Sequence, residues 1–204
     1  LDFWRKRHVR LILTAAKVTV ILTLFTGLAY PLAMCGLANL LFPSQAQGSL
    51  VVHAGRIVGS QLVGQNFSSP GYFHGRPSAA GAKGYDAAAS GGSNLGPTNR
   101  ALINTVAQRV KAVLAQNPGA RAGQIPVDLV TASGSGLDPE ISPAAAEFQV
   151  PRVAQARHTS VQRVRELVRR YTRPRWAGIF GEPGVNVLML NLALDEAESA
   201  PSGR

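Results

Sequence analysis

Residues able to do chemistry are few and scattered. Ser133-Gly134-Ser135-Gly136 places two hydroxyls in a glycine-rich stretch. A nucleophile elbow needs the spacing G-x-S-x-G, which lifts the serine onto a sharp strand-to-helix turn. That spacing is absent, and nothing in the sequence sets His158 beside these serines, so the stretch reads as a turn-rich connection. His8, His53, His74 and His158 show no H-E-x-x-H and no paired spacing, so no metal centre is expected. Asp128, Asp138 and Glu140 could form a carboxylate pair, but Asp138-Pro139 more simply starts a turn. The phosphate-cradling G-x-x-x-x-G-K-[ST] is missing. Gly91-Gly92-Ser93-Asn94 reads as a tight turn in preference to a small anion nest. On chemistry alone this is a binding or assembly domain, not a recognisable enzyme.

The segments that must position such a domain begin with an anchor. Val18 to Phe42 carries no charged side chain. Roughly 20 apolar residues span a hydrocarbon core. Leu11–Ala16 could extend the run if Lys17 snorkels to the headgroups. The expected division is a basic N-terminus and membrane entry at 1–17, a transmembrane helix at 18–42 and an exported domain at 43–204. Arg5, Lys6, Arg7, Arg10 and Lys17 stand against Asp2 alone on the N-terminal side, which places that end in the cytoplasm. The run is longer than the apolar core of a cleavable signal peptide. Pro31 should kink the helix. Gly27, Gly36 and neighbouring alanines, with Tyr30 and Pro31, form the candidate packing face for another membrane helix. Cys35 reads as a small packing residue, and as the only cysteine it excludes an intrachain disulfide. Leu1 stands where a natural start would have Met, so the true start is expected upstream.

The formal net charge is +10. Part of it flanks the anchor, where topology explains it. Much of the rest lies in Arg163, Arg165, Arg169, Arg170, Arg173 and Arg175. No nucleic-acid motif accompanies them, so nucleic acid is not an expected partner. They read as a solvated helix face, with a docking patch for acidic protein or lipid headgroups as the alternative.

Beyond the exit linker at 43–49, Leu50 to His53 and Arg56 to Val63 predict two strands joined at Ala54-Gly55. Gly64 to Pro97 predicts a long loop, ordered and contact-making because it holds Phe67, Tyr72, Phe73, His74, Arg76 and Tyr85. Arg100 to Gln116 predicts an amphipathic helix capped by Thr98 or Asn99 and stopped by Asn117-Pro118-Gly119. Ile125 to Thr131 predicts a buried strand. Ser142 and Pro143 open a helix expected to bend or break near Pro151. Thr159 and Gln162 suggest a capping box for the next helix. Val185 to Leu194 predicts a second apolar strand, followed by a polar tail. The pattern gives an α/β or α+β domain on one N-terminal transmembrane helix.

Several segments, in order, resemble the C subunit of Kdp-type potassium-transporting ATPases (the KdpC family). They include Thr26-Gly27-Leu28-Ala29-Tyr30-Pro31-Leu32, Gly59-Ser60-Gln61-Leu62-Val63-Gly64-Gln65-Asn66-Phe67 and Gly71-Tyr72-Phe73-His74-Gly75-Arg76-Pro77-Ser78. They continue with Ser90-Gly91-Gly92-Ser93-Asn94-Leu95, Gln149-Val150-Pro151-Arg152-Val153-Ala154 and Asn191-Leu192-Ala193-Leu194-Asp195. The resemblance implies a bacterial inner-membrane protein, spanning once, with its C-terminal domain in the periplasm. It implies a complex with a channel-like subunit (KdpA), a P-type ATPase subunit (KdpB) and a small membrane subunit (KdpF). ATP and potassium would be handled by that complex, with no cofactor held by this chain. The family is described as a catalytic chaperone that raises the ATPase subunit's ATP affinity, and Gln149 matches the glutamine associated with that role. Tyr72, Phe73, His74, Arg76 and Asn94 are the candidate docking residues, since aromatics and arginine anchor interfaces. Asp128, Asp138 and Glu140 could gather potassium locally. The alternative is an unrelated membrane-anchored periplasmic envelope-binding protein or hydrolase.

Overall fold

A computed structural model describes the chain from Asp2 to Ser199, with side chains from Trp4 to Glu198. The chain divides into one unit up to Leu50 and another from Val51. In the first, helix α1 (Asp2–Leu24) passes through a π-helical turn (Phe25–Ala29) into α2 (Tyr30–Leu41). Trp4–Leu41 is long and apolar enough to cross a membrane. The helix starts far upstream of Val18 and includes the basic N-terminal residues. Pro31 has no N–H and its ring crowds the carbonyl one turn back. The wider turn just before it accommodates this, with the Tyr30 N–H bonded to the Phe25 carbonyl. The helix therefore continues past the proline, which itself donates no bond. Thr26 and Asn39 donate their side-chain hydrogens back into the helix, to Leu22 and Cys35 carbonyls, as an apolar surrounding requires. A short turn, α3 (Pro43–Ala46), follows.

The second unit is mixed α/β. Strands β1 (Leu50–His53) and β2 (Arg56–Ser60) form a hairpin, turned by left-handed Ala54 and Gly55. Helix α4 (Arg100–Gln116) has the expected bounds, and the Asn99 carboxamide caps it by accepting from the Ala101 N–H at 2.8 Å. Its apolar face is only half-buried, and Ile103 remains exposed. Strands β3 (Glu140–Ile141), β4 (Thr172–Arg173) and β5 (Gly184–Asn186) make an antiparallel sheet in the order β3-β5-β4. Helices α5 (Pro143–Ala156), α6 (Val161–Arg170) and α7 (Val187–Ser199) complete the domain. The core joins Ile141, Ala145, Val150, Val153, Val164, Val168, Val185, Leu190 and Leu194 to Phe73 from the long loop.

Four local expectations are corrected. Ile125 to Thr131 is not a strand. Val127–Leu129 winds into a 3-10 turn, with Val130 and Thr131 N–H groups both donating to the Val127 carbonyl. That turn buries Leu129 and Val130 and aims the Asp128 carboxylate at the Ser142 N–H and hydroxyl. Val185 to Leu194 is strand only as far as Asn186. The Asn186 side chain then accepts from the Met189 N–H at 3.1 Å and starts α7. The buried positions Val187, Leu190, Asn191 and Leu194 follow the helical period. Helix α5 runs unbroken through Pro151, with buried Val150, Val153 and Ala154 holding both sides of it. Its end comes later, at left-handed His158, with the Thr159 N–H reaching back to the Ala154 carbonyl. Ser160, not Thr159, caps α6 by accepting from the Arg163 N–H.

Glycine at 184 has a steric reason. Glu140 on β3 reaches across β5 to grip Arg173 on β4 through two hydrogen bonds, at 3.0 and 2.7 Å. A Cβ on Gly184 would lie 2.5 Å from Glu140 Oε2. Gly184→Ala is therefore expected to displace the Glu140 carboxylate from Arg173 and to destabilise the domain by about 1 kcal/mol or less. A urea midpoint equal to that of the parent protein would refute this.

Candidate functional site

The long loop has no strand or helix, yet Phe73 and Ala80 are fully buried. Buried peptide groups need partners. Side chains from α5, α7 and the residue following α5 supply them over five consecutive residues. Asn191 on α7 reads Phe73, accepting from its N–H at 2.8 Å and donating to its carbonyl at 3.0 Å. Gln149 on α5 reads His74, accepting from its N–H at 2.8 Å and donating to its carbonyl at 3.2 Å. The second Gln149 amide hydrogen goes to the Ala145 carbonyl, and its oxygen also accepts from Arg152 at 2.7 Å. These donors fix which end of the amide is oxygen. Arg152 Nη1 donates to the Pro70 and Tyr72 carbonyls, and Arg157 Nε to the Gly71 carbonyl at 2.6 Å. The two amides thus act as single rungs of a missing neighbouring strand.

Around this clamp lies an ionic layer. The Arg157 guanidinium stacks 4.7 Å from the Tyr72 ring centroid and binds Asp195 at 2.7 Å and Glu198 at 3.0 Å. The Tyr72 hydroxyl donates to the other Asp195 oxygen at 3.1 Å. Further along the loop, the Ser78 hydroxyl donates to the Gly136 carbonyl at 2.6 Å and accepts from the Ala80 and Tyr85 N–H groups. The Tyr85 hydroxyl donates to the Arg76 carbonyl, and Arg76 pairs with Asp138 at 3.1 Å. Burial, reinforced by Asp138 and opposed by Arg76, pushes the Tyr85 hydroxyl up to about 12. It remains a donor throughout the physiological range.

Each chemistry-bearing residue is now placed. Phe73 lies in the core, and Gln149 is 2% exposed, so neither side chain offers surface to another molecule. Tyr72, His74 and Arg76 are half-buried in the clamp and its surroundings. Asn94 is not with them. It is exposed in a left-handed turn, its amide donating to the Gly92 carbonyl. Asp128, Asp138 and Glu140 do not form a pair, since Ser142, Arg76 and Arg173 engage them separately. Among the described residues no cluster of His, Cys, Asp or Glu could hold a metal. No described hydrogen bond joins His158 to Ser133 or Ser135; the Ser135 hydroxyl accepts from the Leu137 N–H. Gly27, Tyr30, Pro31 and Gly36 lie exposed on the membrane helix. Asn191, Arg152 and Arg157 were not singled out for a role from sequence. A polar Asn191 on the apolar face of a helical pattern was the available signal.

The loop and α4 border an open cavity of about 500 Å³, lined in part by Phe67, His74, Arg76, Lys83, Arg109 and Gln149. Its charged lining residues are all cationic. Burial pushes Arg152 down to about 10, which still leaves it charged. His74 is held below its ordinary value, first by burial and then by the Arg152 charge, against the Ser69 carbonyl that its Nε2 contacts at 3.0 Å.

Fold and site together define a membrane-anchored protein with a mixed α/β domain, whose conspicuous polar groups serve its internal structure. The family described as KdpC, the c chain of K+-transporting ATPase, matches residues 12–196. The potassium-transporting ATPase KdpC subunit of Gemmatimonas aurantiaca is 58% identical over 191 residues, covering 93% of this chain and 95% of that protein. Its counterpart in Polaromonas naphthalenivorans is 58% identical over 175 residues, 86% of this chain and 89% of the relative. That of Acidobacterium capsulatum is 57% identical over 183 residues, 90% and 96% of the two chains. The chain belongs to the KdpC family of potassium-transporting ATPase subunits. The reading of an unrelated envelope-binding protein or hydrolase falls with that match.

Removing the clamp should loosen the loop. Gln149→Ala leaves both peptide groups of His74 and one Arg152 donor unpartnered, for an expected loss of about 3 kcal/mol. Gln149→Glu keeps the acceptor facing Arg152 but sets an anionic oxygen against the His74 and Ala145 carbonyls, so it too should be less stable than the parent. Unfolding in denaturant, with hydrogen exchange over residues 70–77, checks both losses; equal stability of all three proteins would refute them. His74 gives a pH prediction. Its folded value lies below the ordinary 6.5, so its stabilising contribution is present above about 6.5 and is lost as pH falls below that value. His74→Asn should therefore lose less stability than the parent protein between pH 7.5 and pH 5.5. Parallel losses would show that His74 contributes nothing to acid sensitivity.

Proposed function

We propose that this chain is the accessory subunit of an ATP-driven, high-affinity potassium uptake complex in the bacterial inner membrane. Its N-terminus is cytoplasmic, its helix spans once and its α/β domain is periplasmic. It binds and steadies the channel-like (KdpA) and P-type ATPase (KdpB) subunits, with the small KdpF subunit beside them in the bilayer. The family match running through both anchor and domain carries this reading. The basic flank of the membrane helix supports the orientation.

A cavity whose charged lining is cationic does not favour potassium, which supports an accessory role for this domain in preference to an ion site in that cavity. Raising the ATPase subunit's ATP affinity is the finer part of the reading. Gln149 is buried with its amide fully engaged, and the orientation sets it across the membrane from cytoplasmic ATP. Its influence is therefore exerted through the shape of the clamped loop, by a change in how the domain engages the complex. Asn191 clamps the same loop from another helix, so both amides should act alike.

The test is potassium-stimulated ATPase activity in membranes with and without this chain, together with pull-down of the other subunits. Loss of complex and of stimulated activity is expected; activity intact in its absence refutes the accessory role. In the assembled complex, Gln149→Ala and Asn191→Ala should raise the KM for ATP in parallel. An effect of Gln149→Ala with none from Asn191→Ala would refute action through the loop.

A further inference from the structure

Between β4 and β5 the chain projects a short turn, Trp176-Ala177-Gly178-Ile179-Phe180, which exposes two large aromatic side chains where the first hairpin exposes only aliphatic ones. Trp176, Ile179 and Phe180 are 71%, 72% and 61% exposed. Three large apolar side chains within five residues make a patch, and patches of this kind mark binding sites. The turn is nevertheless well built. The Trp176 N–H donates to the Phe180 carbonyl at 2.8 Å, and the Phe180 N–H returns to the Trp176 carbonyl at 2.9 Å. The two rings pack at 5.7 Å between centroids. Left-handed Ala177 and Gly178 close the turn, and left-handed Gly181 follows it. Little order remains to be imposed on binding, as in preorganised interface anchors.

The surroundings indicate the kind of partner. Arg173 is held by Glu140 at 2.7 Å, and Arg175 by both Glu182 oxygens at 2.9 and 2.8 Å. The tip is thus flanked by two arginines and two glutamates in closed pairs. Attraction to an anionic leaflet works through uncompensated Lys and Arg beside the apolar group. Here the two arginines beside the tip are each paired, Arg169 and Arg170 sit back in the last turn of α6, and Glu182 at the base of the tip disfavours an anionic surface. A neutral rim around exposed Trp, Ile and Phe matches the centre of a protein interface, where aromatics are enriched and charge is depleted.

We infer that the Trp176–Phe180 tip is a docking point of this domain, inserting its aromatic pair into an apolar, uncharged pocket on the extracytoplasmic face of another subunit of the ATPase. The inference rests on the accessory-subunit reading and moves the contact away from Tyr72, Phe73 and Arg76, which are engaged within the fold. In the complete complex, Ile179 is replaced by photoreactive benzoylphenylalanine and the membranes are irradiated. A crosslink to a polypeptide subunit is expected. Adding Trp176→Ser and Phe180→Ser should weaken it on the order of tenfold or more, the effect of losing aromatic anchors. The thermal midpoint should stay unchanged, because these side chains are exposed. A chain that retains the ATPase subunits but crosslinks only to lipid, or to nothing, overturns the docking tip alone. A parent chain that retains no subunit overturns the accessory-subunit reading, and the inference with it.

Discussion

Peptide groups taken out of water must be answered, and in this domain the long loop has no strand beside it to answer them. The carboxamides of Asn191 and Gln149 do so instead, each pairing with both the N–H and the carbonyl of one loop residue. Phe73 can fill the core only because its own backbone and that of His74 are satisfied there. With Phe73 in place, α5, α7 and β5 share one apolar interior. Removing either amide would leave groups that water cannot reach, each at a cost of about 1–3 kcal/mol.

The arginines near the clamp extend the same logic. Arg152 is buried and works on carbonyls and an amide oxygen, while Arg157 faces the carboxylates of Asp195 and Glu198. Two cations of similar sequence context thus do different work. One holds the loop from within, and the other seals it at the surface against the end of α7. Burial first and the Arg152 charge second hold His74 below its ordinary value, and the cationic lining makes the neighbouring cavity uninviting to cations.

Gln149 is engaged within the fold by every polar atom of its side chain, so its work in this domain is to hold the loop in place. The membrane helix and the domain each present apolar side chains that the fold itself leaves uncovered. The small residues of the helix suit close approach by other helices. The domain presents an aromatic tip whose adjacent charges are already paired.

Features set by neighbours in the chain were legible in the sequence. These were the apolar run of the membrane helix, the bounds and Asn99 cap of α4, the Ser142–Pro143 start of α5 and the first hairpin. Their hydrogen bonds close within a few residues, so local residue types determine them. Other features depended on partners far along the chain. Whether Val127–Leu129 became strand or turn depended on Asp128 finding Ser142. The strand reading of Val185 to Leu194 failed because Asn186 ends β5 and caps α7, and one face of that helix meets the core. Pro151 stayed inside α5 because packing on either side holds the helix together. By itself the sequence determined an anchored α/β domain and its family. Only the tertiary structure decided that Gln149 and Asn191, 42 residues apart in number, hold adjacent loop residues, because long-range pairing of buried amides leaves no periodic trace in the chain.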